Sequence, residues 1–121
     1  MKEKNFQSTF NKWMKTIYKR TCCFELKLTK TNSVPFSAVV PHQVSALENA
    51  KNGVLVYKIP DVGYQNPFDG FCLASVDSFV VIKYPDFFCL IDINDWVNED
   101  RMSKRRSLTA TRAKEIATLV V

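Results

Sequence analysis

Glycine is scarce, with three in 121 residues. A backbone cradle for phosphate needs several glycines at fixed offsets, so a Gly-rich nucleotide loop is excluded. Histidine is scarcer still: His42 stands alone, and the four cysteines form no C-x-x-C pair. That leaves no closed zinc site of the usual ligand spacing. Cys22 and Cys23 are adjacent, while Cys72 and Cys89 lie inside apolar runs. Such thiols read as reduced side chains, not as a disulfide framework. No apolar run reaches the roughly 18 residues of a membrane span. The opening Met-Lys-Glu-Lys-Asn has no apolar stretch behind it, so no secretory signal is expected and the expected compartment is the cytoplasm. Ser33 and Ser37 lack a His/Asp partner pattern, which removes hydrolase-style nucleophilic catalysis.

What is present is enough for one core. Nine Phe, four Tyr and two Trp accompany 46% apolar and 24% charged residues, the balance of a globular chain of one domain, 1–121. Trp13 and Trp96 read as core or interface anchors. The net charge is +5, but it is unevenly spread. Residues 1–30 carry a net +6, residues 60–100 a net −7, and residues 101–121 a net +5. Basic ends suit phosphate contacts. The candidates are Lys12, Lys15 and Lys19 near the start and Arg101, Lys104, Arg105 and Arg106 near the end, although a short basic run is as often only a solvated loop. The acidic middle suits carboxylates kept for a metal ion.

Periodicity sets the expected elements. Phe6, Phe10, Trp13, Met14, Ile17 and Tyr18 recur at helical steps, so the basic helix spans 6–19. Residues 22–29 alternate as a strand, with Cys23, Glu25 and Lys27 on one face. A loop at 31–38 is followed by a helix over 39–51, with Pro41 in its first turn and Asn52-Gly53 at its end. Residues 54–59 read as a strand and 60–68 as the main loop. The apolar runs 70–75, 78–84 and 87–93 read as strands, the last two forming a hairpin through Tyr84-Pro85-Asp86. A short helical turn within 95–100 and a last helix from Ser107 complete the order. The fold class is α/β (α+β), a central mixed sheet flanked by helices. A β-α-β crossover would make strands 22–29 and 54–59 parallel neighbours.

Glu25-Leu26-Lys27 is the main chemical candidate. Period two places a carboxylate and an ammonium on one strand face, about 7 Å apart at Cα. A carboxylate holds a divalent cation, and a lysine orients water or neutralises charge at a scissile phosphate. Solvent-facing strands also alternate Glu and Lys without function, so the context matters.

That context is Phe24-Glu25-Leu26-Lys27, then Pro35-Phe36-Ser37, then His42-Gln43, with Lys104-Arg105-Arg106-Ser107-Leu108-Thr109 leading into the last helix. With these residues the chain resembles the PD-(D/E)XK nuclease superfamily. More narrowly, it resembles the small Holliday-junction resolvases of the bacterial recombination-U type and related phage recombination nucleases. The likeness covers residues 6–59 best. It implies a restriction-endonuclease-like fold and a Mg²⁺- or Mn²⁺-dependent endonuclease that cuts branched DNA, acting as a homodimer in the cytoplasm of a cell or of a phage's host. Glu25 and the Leu26 backbone carbonyl would be metal ligands, Lys27 the catalytic lysine and Gln43 the polar residue that sets the site. Gln7 or Glu3 would stand where many members carry a Glu on the first helix. One departure is plain: between Glu3 and Glu25 there is no acid, so the upstream metal-binding Asp of the usual pattern is missing. Asp69 is the first choice for a replacement and Asp61 the second, while turns explain Asp77 and Asp86. The alternative is a catalytically inactive nucleic-acid-binding module on the same fold. An RNA-directed nuclease would use the same chemistry.

Overall fold

The computed structural model describes residues 3–59 and 69–121. In chain order the elements are α1 (Glu3–Trp13), β1 (Cys22–Leu28), β2 (Ser33–Pro35), α2 (Pro41–Asn52), β3 (Val54–Lys58), β4 (Gly70–Ala74), β5 (Asp77–Lys83), β6 (Phe88–Asp92), α3 (Ile93–Met102), β7 (Ser107–Thr109), α4 (Ala110–Ile116) and β8 (Leu119–Val120). The fold is mixed α+β. Its main sheet runs β1-β5-β6-β8, with β1 parallel to β5 and the other pairings antiparallel. Two ribbons, β2-β7 and β3-β4, stand beside it. No described helix is long and apolar enough to cross a membrane.

The sheet separates two cores. On one side α1 delivers Phe6 and Phe10 onto Phe79, Val81, Phe88 and Leu90, with Phe24, Leu26 and Leu28 of β1 at the margin. On the other side Val80, Ile82 and Ile91 meet Leu47 of α2, Trp96 of α3 and Ala113 of α4. Period-two alternation along β5 feeds both cores, so its Phe79-Val80-Val81-Ile82 run is apolar without a break.

The expected helix over 6–19 changes character near its end. Met14–Tyr18 form a π-helical turn, closed by Lys19 at φ 53°. The wider turn leaves Ile17 exposed and brings Tyr18 onto Trp13 and Phe79, with ring centroids 5.7 and 6.1 Å apart.

The expected parallel pairing of 22–29 with 54–59 is wrong. β3 pairs with β4 as an antiparallel ribbon, and β1 pairs with β5, Glu25 opposite Val80. Burial explains the choice. Val54, Val56 and Tyr57 of β3 remain exposed, whereas residues 78–82 of β5 are all buried. A central strand must be covered on both faces, and of β3 and β5 only β5 carries the uninterrupted apolar run for that.

Smaller differences have local causes. The loop expected at 31–38 holds β2 and a 3₁₀ turn, Phe36–Ala38, because β7 pairs with β2. Ser107-Leu108-Thr109 is therefore strand, and Thr109 caps α4 by accepting from the Arg112 N–H at 3.2 Å. α3 runs ten residues where a short turn was expected. The loop expected at 60–68 lies outside the described residues.

The cysteines stay free thiols. Burial, with Cys23 and Asp77 adding, pushes the Cys22 thiol up to about 11. Burial pushes Cys89 up to about 12. Cys72 alone is exposed. Thiolate is the reactive form, so an aromatic disulfide reagent at pH 8 should modify Cys72 first and Cys22 and Cys89 slowest. Mass mapping of the first equivalent reads this out, and early labelling of Cys89 would contradict the packing.

Candidate functional site

Alternation along β1 turns Phe24, Leu26 and Leu28 toward α1 and Cys23 toward the α2 side. Glu25 and Lys27 share the Cys23 side. There Lys27 Nζ lies 3.4 Å from Glu25 Oε1, both side chains partly exposed. Such a pair is worth less than about 1 kcal/mol.

Gln43 completes the group across 18 residues of chain. Its Nε2 donates to Glu25 Oε1 at 3.0 Å, and its Oε1 accepts the Val40 N–H at 3.1 Å. Both partners force one amide orientation, because a backbone N–H needs the oxygen and a carboxylate needs the NH₂. Gln43 is thus a capping residue of α2 as well as a site residue. Pro41 in the first turn donates no N–H, and Val40 supplies the donor that the glutamine satisfies. Gln43→Leu should cost about 1–2 kcal/mol through the lost cap and the lost carboxylate bond. Urea unfolding measures this, and a change below a few tenths would show the amide contacts to be incidental.

Gln7 arrives from α1. It lines a concavity of about 240 Å³ with Phe24, Glu25 and Leu26. It brings an amide there, not a charge. Lys27 and Gln43 both approach Oε1 of Glu25, and among the described residues no hydrogen bond reaches Oε2.

The other candidates stand apart. Asp69 is exposed ahead of β4, where its carbonyl accepts the Ile59 N–H at 2.7 Å; no hydrogen bond among the described residues joins it to Glu25. Asp61 lies outside the described residues, as does the side chain of Glu3. Among the described residues no group of three His, Cys, Asp or Glu side chains is placed to hold a metal. His42 is exposed on the first turn of α2. Phe36 of the Pro-Phe-Ser motif is buried against Trp96, with ring centroids 5.0 Å apart, so its role there is packing.

Both basic clusters are exposed: Lys12, Lys15 and Lys19 around the end of α1, and Arg101 with Lys104, Arg105 and Arg106 between α3 and β7. Lys104 and Arg105 line a groove of about 530 Å³ with Ser103, Ser107 and Thr111. Arg112 in the same groove is neutralised by Glu99 at 3.0 Å and Glu115 at 2.7 Å. Its guanidinium is held further toward the charged form, chiefly by the Glu99 hydrogen bonds.

Sequence reasoning missed the Lys51–Asp92 pair, 2.5 Å, which ties the end of α2 to the start of α3. The Asp92-x-Asn94 pattern, whose carboxylate accepts the Asn94 N–H at 2.8 Å, was a legible helix cap; its lysine, 41 residues away, was not.

In comparisons with known proteins the chain matches no family model, no curated protein and no solved structure.

Proposed function

We propose that the chain is a metal-dependent endodeoxyribonuclease of restriction-endonuclease-like fold, acting on branched DNA in the cytoplasm. The observation that carries this reading is the meeting of Glu25, Lys27 and Gln43, which the resemblance named from two separate stretches of sequence. A Mg²⁺ ion often binds through one or two carboxylates and keeps its waters until substrate phosphate joins it. The Glu25 carboxylate is one such group and the Leu26 carbonyl a further oxygen donor, so the residues fit a weak site that fills with DNA present. When bound, the ion supplies Lewis-acid polarisation of the phosphate and a more acidic water.

The chain's own residues do the rest. Gln43 holds the Glu25 carboxylate through Oε1. Lys27 sets a positive charge beside it, where negative charge grows on the phosphate oxygens. Lys12, Lys15, Lys19 and the 101–106 cluster hold the DNA backbone, each contact weakening with salt.

The test compares wild type, Glu25→Gln and Asp69→Asn on a labelled four-way junction and a linear duplex, with Mg²⁺ or Mn²⁺ titrated by calorimetry. Glu25→Gln should lose both metal binding and cleavage. Loss in Asp69→Asn as well assigns the second carboxylate to the residue ahead of β4. A wild type that binds junction DNA but neither binds metal nor cuts overturns the enzyme reading. It leaves the catalytically silent binding module, which the lack of an acidic cluster among the described residues favours.

A further inference from the structure

β1 is the edge strand of the main sheet, and among the described residues nothing pairs with it on the side away from β5. All seven of its residues are half-buried, against full burial of most of β5 and β6. The edge has no proline, and its two charges, Glu25 and Lys27, are of opposite sign.

The direction of its backbone groups follows from one bond. The Thr29 N–H donates to the Lys83 carbonyl at 3.0 Å, with Leu28 opposite Lys83 in the parallel register. Direction alternates along a strand, so Cys23, Glu25, Lys27 and Thr29 turn their N–H and C=O groups toward β5. Phe24, Leu26 and Leu28 turn theirs outward.

We propose that a second copy of this chain docks on that edge, β1 against β1, antiparallel about a twofold axis through Leu26. In this register Leu26 exchanges both backbone hydrogen bonds with Leu26 of the partner subunit. Phe24 meets Leu28 of the partner subunit in the next hydrogen-bonded pairs. Glu25 falls opposite Lys27 of the partner subunit, and Lys27 opposite Glu25 of the partner subunit. These are non-hydrogen-bonded pairs, where side chains stand closest. The register is selective. A twofold at Phe24 would set Glu25 opposite Cys23, and one at Leu28 would set Lys27 opposite Thr29. A twofold at Glu25 or Lys27 would oppose like charges. Only the Leu26 axis combines outward-facing backbone at the centre with both opposite-charge pairs, and it yields an isologous contact.

The pairing does not rest on the nuclease reading, but it bears on it. It occupies the Leu26 carbonyl and brings a second ammonium to Glu25. Self-association and cation binding therefore oppose each other at this edge, by reciprocal linkage.

Sedimentation without metal or DNA tests the pairing separately from cleavage. Wild type should be dimeric at tens of micromolar. Lys27→Glu and Glu25→Lys should each weaken the dimer about tenfold or more. An equimolar mixture of the two should form a heterodimer, and the double swap Glu25→Lys/Lys27→Glu should restore the homodimer. Folding of each variant is checked by circular dichroism, and rescue by mixing cannot come from misfolded chains. Thr29→Cys adds a register check. Cys23 lies opposite position 29 of the partner subunit at about 4.5 Å between Cα atoms, within disulfide reach, so oxidation should link the two subunits. A monomeric wild type, single-charge variants as dimeric as wild type, or a mixture that fails to associate overturns the proposal. So does capture of the β1 edge by a different protein's strand in place of a second copy.

Discussion

Replacing Lys27 by Met should lower metal-dependent cleavage of junction DNA by about 10³-fold, the loss expected when one preorganised charge-stabilising group is removed. The methionine keeps most of the apolar stem and removes the ammonium 3.4 Å from Glu25. Because that pair is partly exposed, stability should move by less than about 1 kcal/mol. Loss of rate without loss of fold separates a chemical role from a structural one. Lys27→Arg keeps the charge but spreads it over a planar fork, so recovery should be partial. Single-turnover cleavage at saturating Mg²⁺ is the measurement. An unchanged Lys27→Met rate would remove this lysine from the chemistry and most of the support for the proposed function.

The second large effect is on folding. Phe10→Ala should destabilise the protein by about 3–5 kcal/mol. Phe10 is fully buried, and its ring centroid lies 4.9 Å from Phe24, 5.8 Å from Trp13, 5.9 Å from Phe88 and 6.0 Å from Phe6. No other aromatic among the described residues touches as many rings of that core. An isolated helix of 11 residues is marginal in water, so α1 depends on docking through Phe6 and Phe10. Total stabilities of such domains are about 5–15 kcal/mol, which makes the loss a large share. Phe10→Leu should lose less, because its branched side chain fills part of the space. The urea midpoints of the two variants give the comparison. A Phe10→Ala cost below about 1 kcal/mol would show that α1 is not docked as described. Because α1 also carries Gln7 and Lys12, its loosening should disturb the site beside β1.

Local pattern made much of this legible. Helical spacing marked α1 and α2, alternation marked β1, and Tyr84-Pro85-Asp86 marked the β5–β6 hairpin, where the Tyr84 N–H donates to the Phe87 carbonyl at 2.9 Å. These are properties of neighbouring residues. The partner of β1 was not legible, because the choice between β3 and β5 is decided by which strand both cores can cover. β2 and β7 are three residues each, and Pro35 in one and Ser107 in the other resemble loop until the pairing is seen. The π turn at Met14–Tyr18 also hid, since its register shift moves only Ile17 and Tyr18. In the site, Glu25 and Lys27 were legible as a strand pair. The convergence of Gln43 came from the resemblance, and its physical cause, a helix cap whose free NH₂ faces a carboxylate, needed the fold. The second carboxylate was sought at Asp69 from its place at the mouth of an apolar strand after a Pro-rich loop, and that strand, β4, pairs with β3 and not with β1.

The β3–β4 ribbon interrupts the path from β1 to β5 without joining the main sheet. Loop-closure entropy grows only with the logarithm of length, so adding ten residues to that path costs about 0.2 kcal/mol. The ribbon is therefore a place where insertions and deletions are nearly free for the scaffold. Descendants of this chain can vary its length and exposed side chains, such as Val56 and Tyr57, while β1, α2 and β5 keep their register. New specificity can be written there without renegotiating the fold.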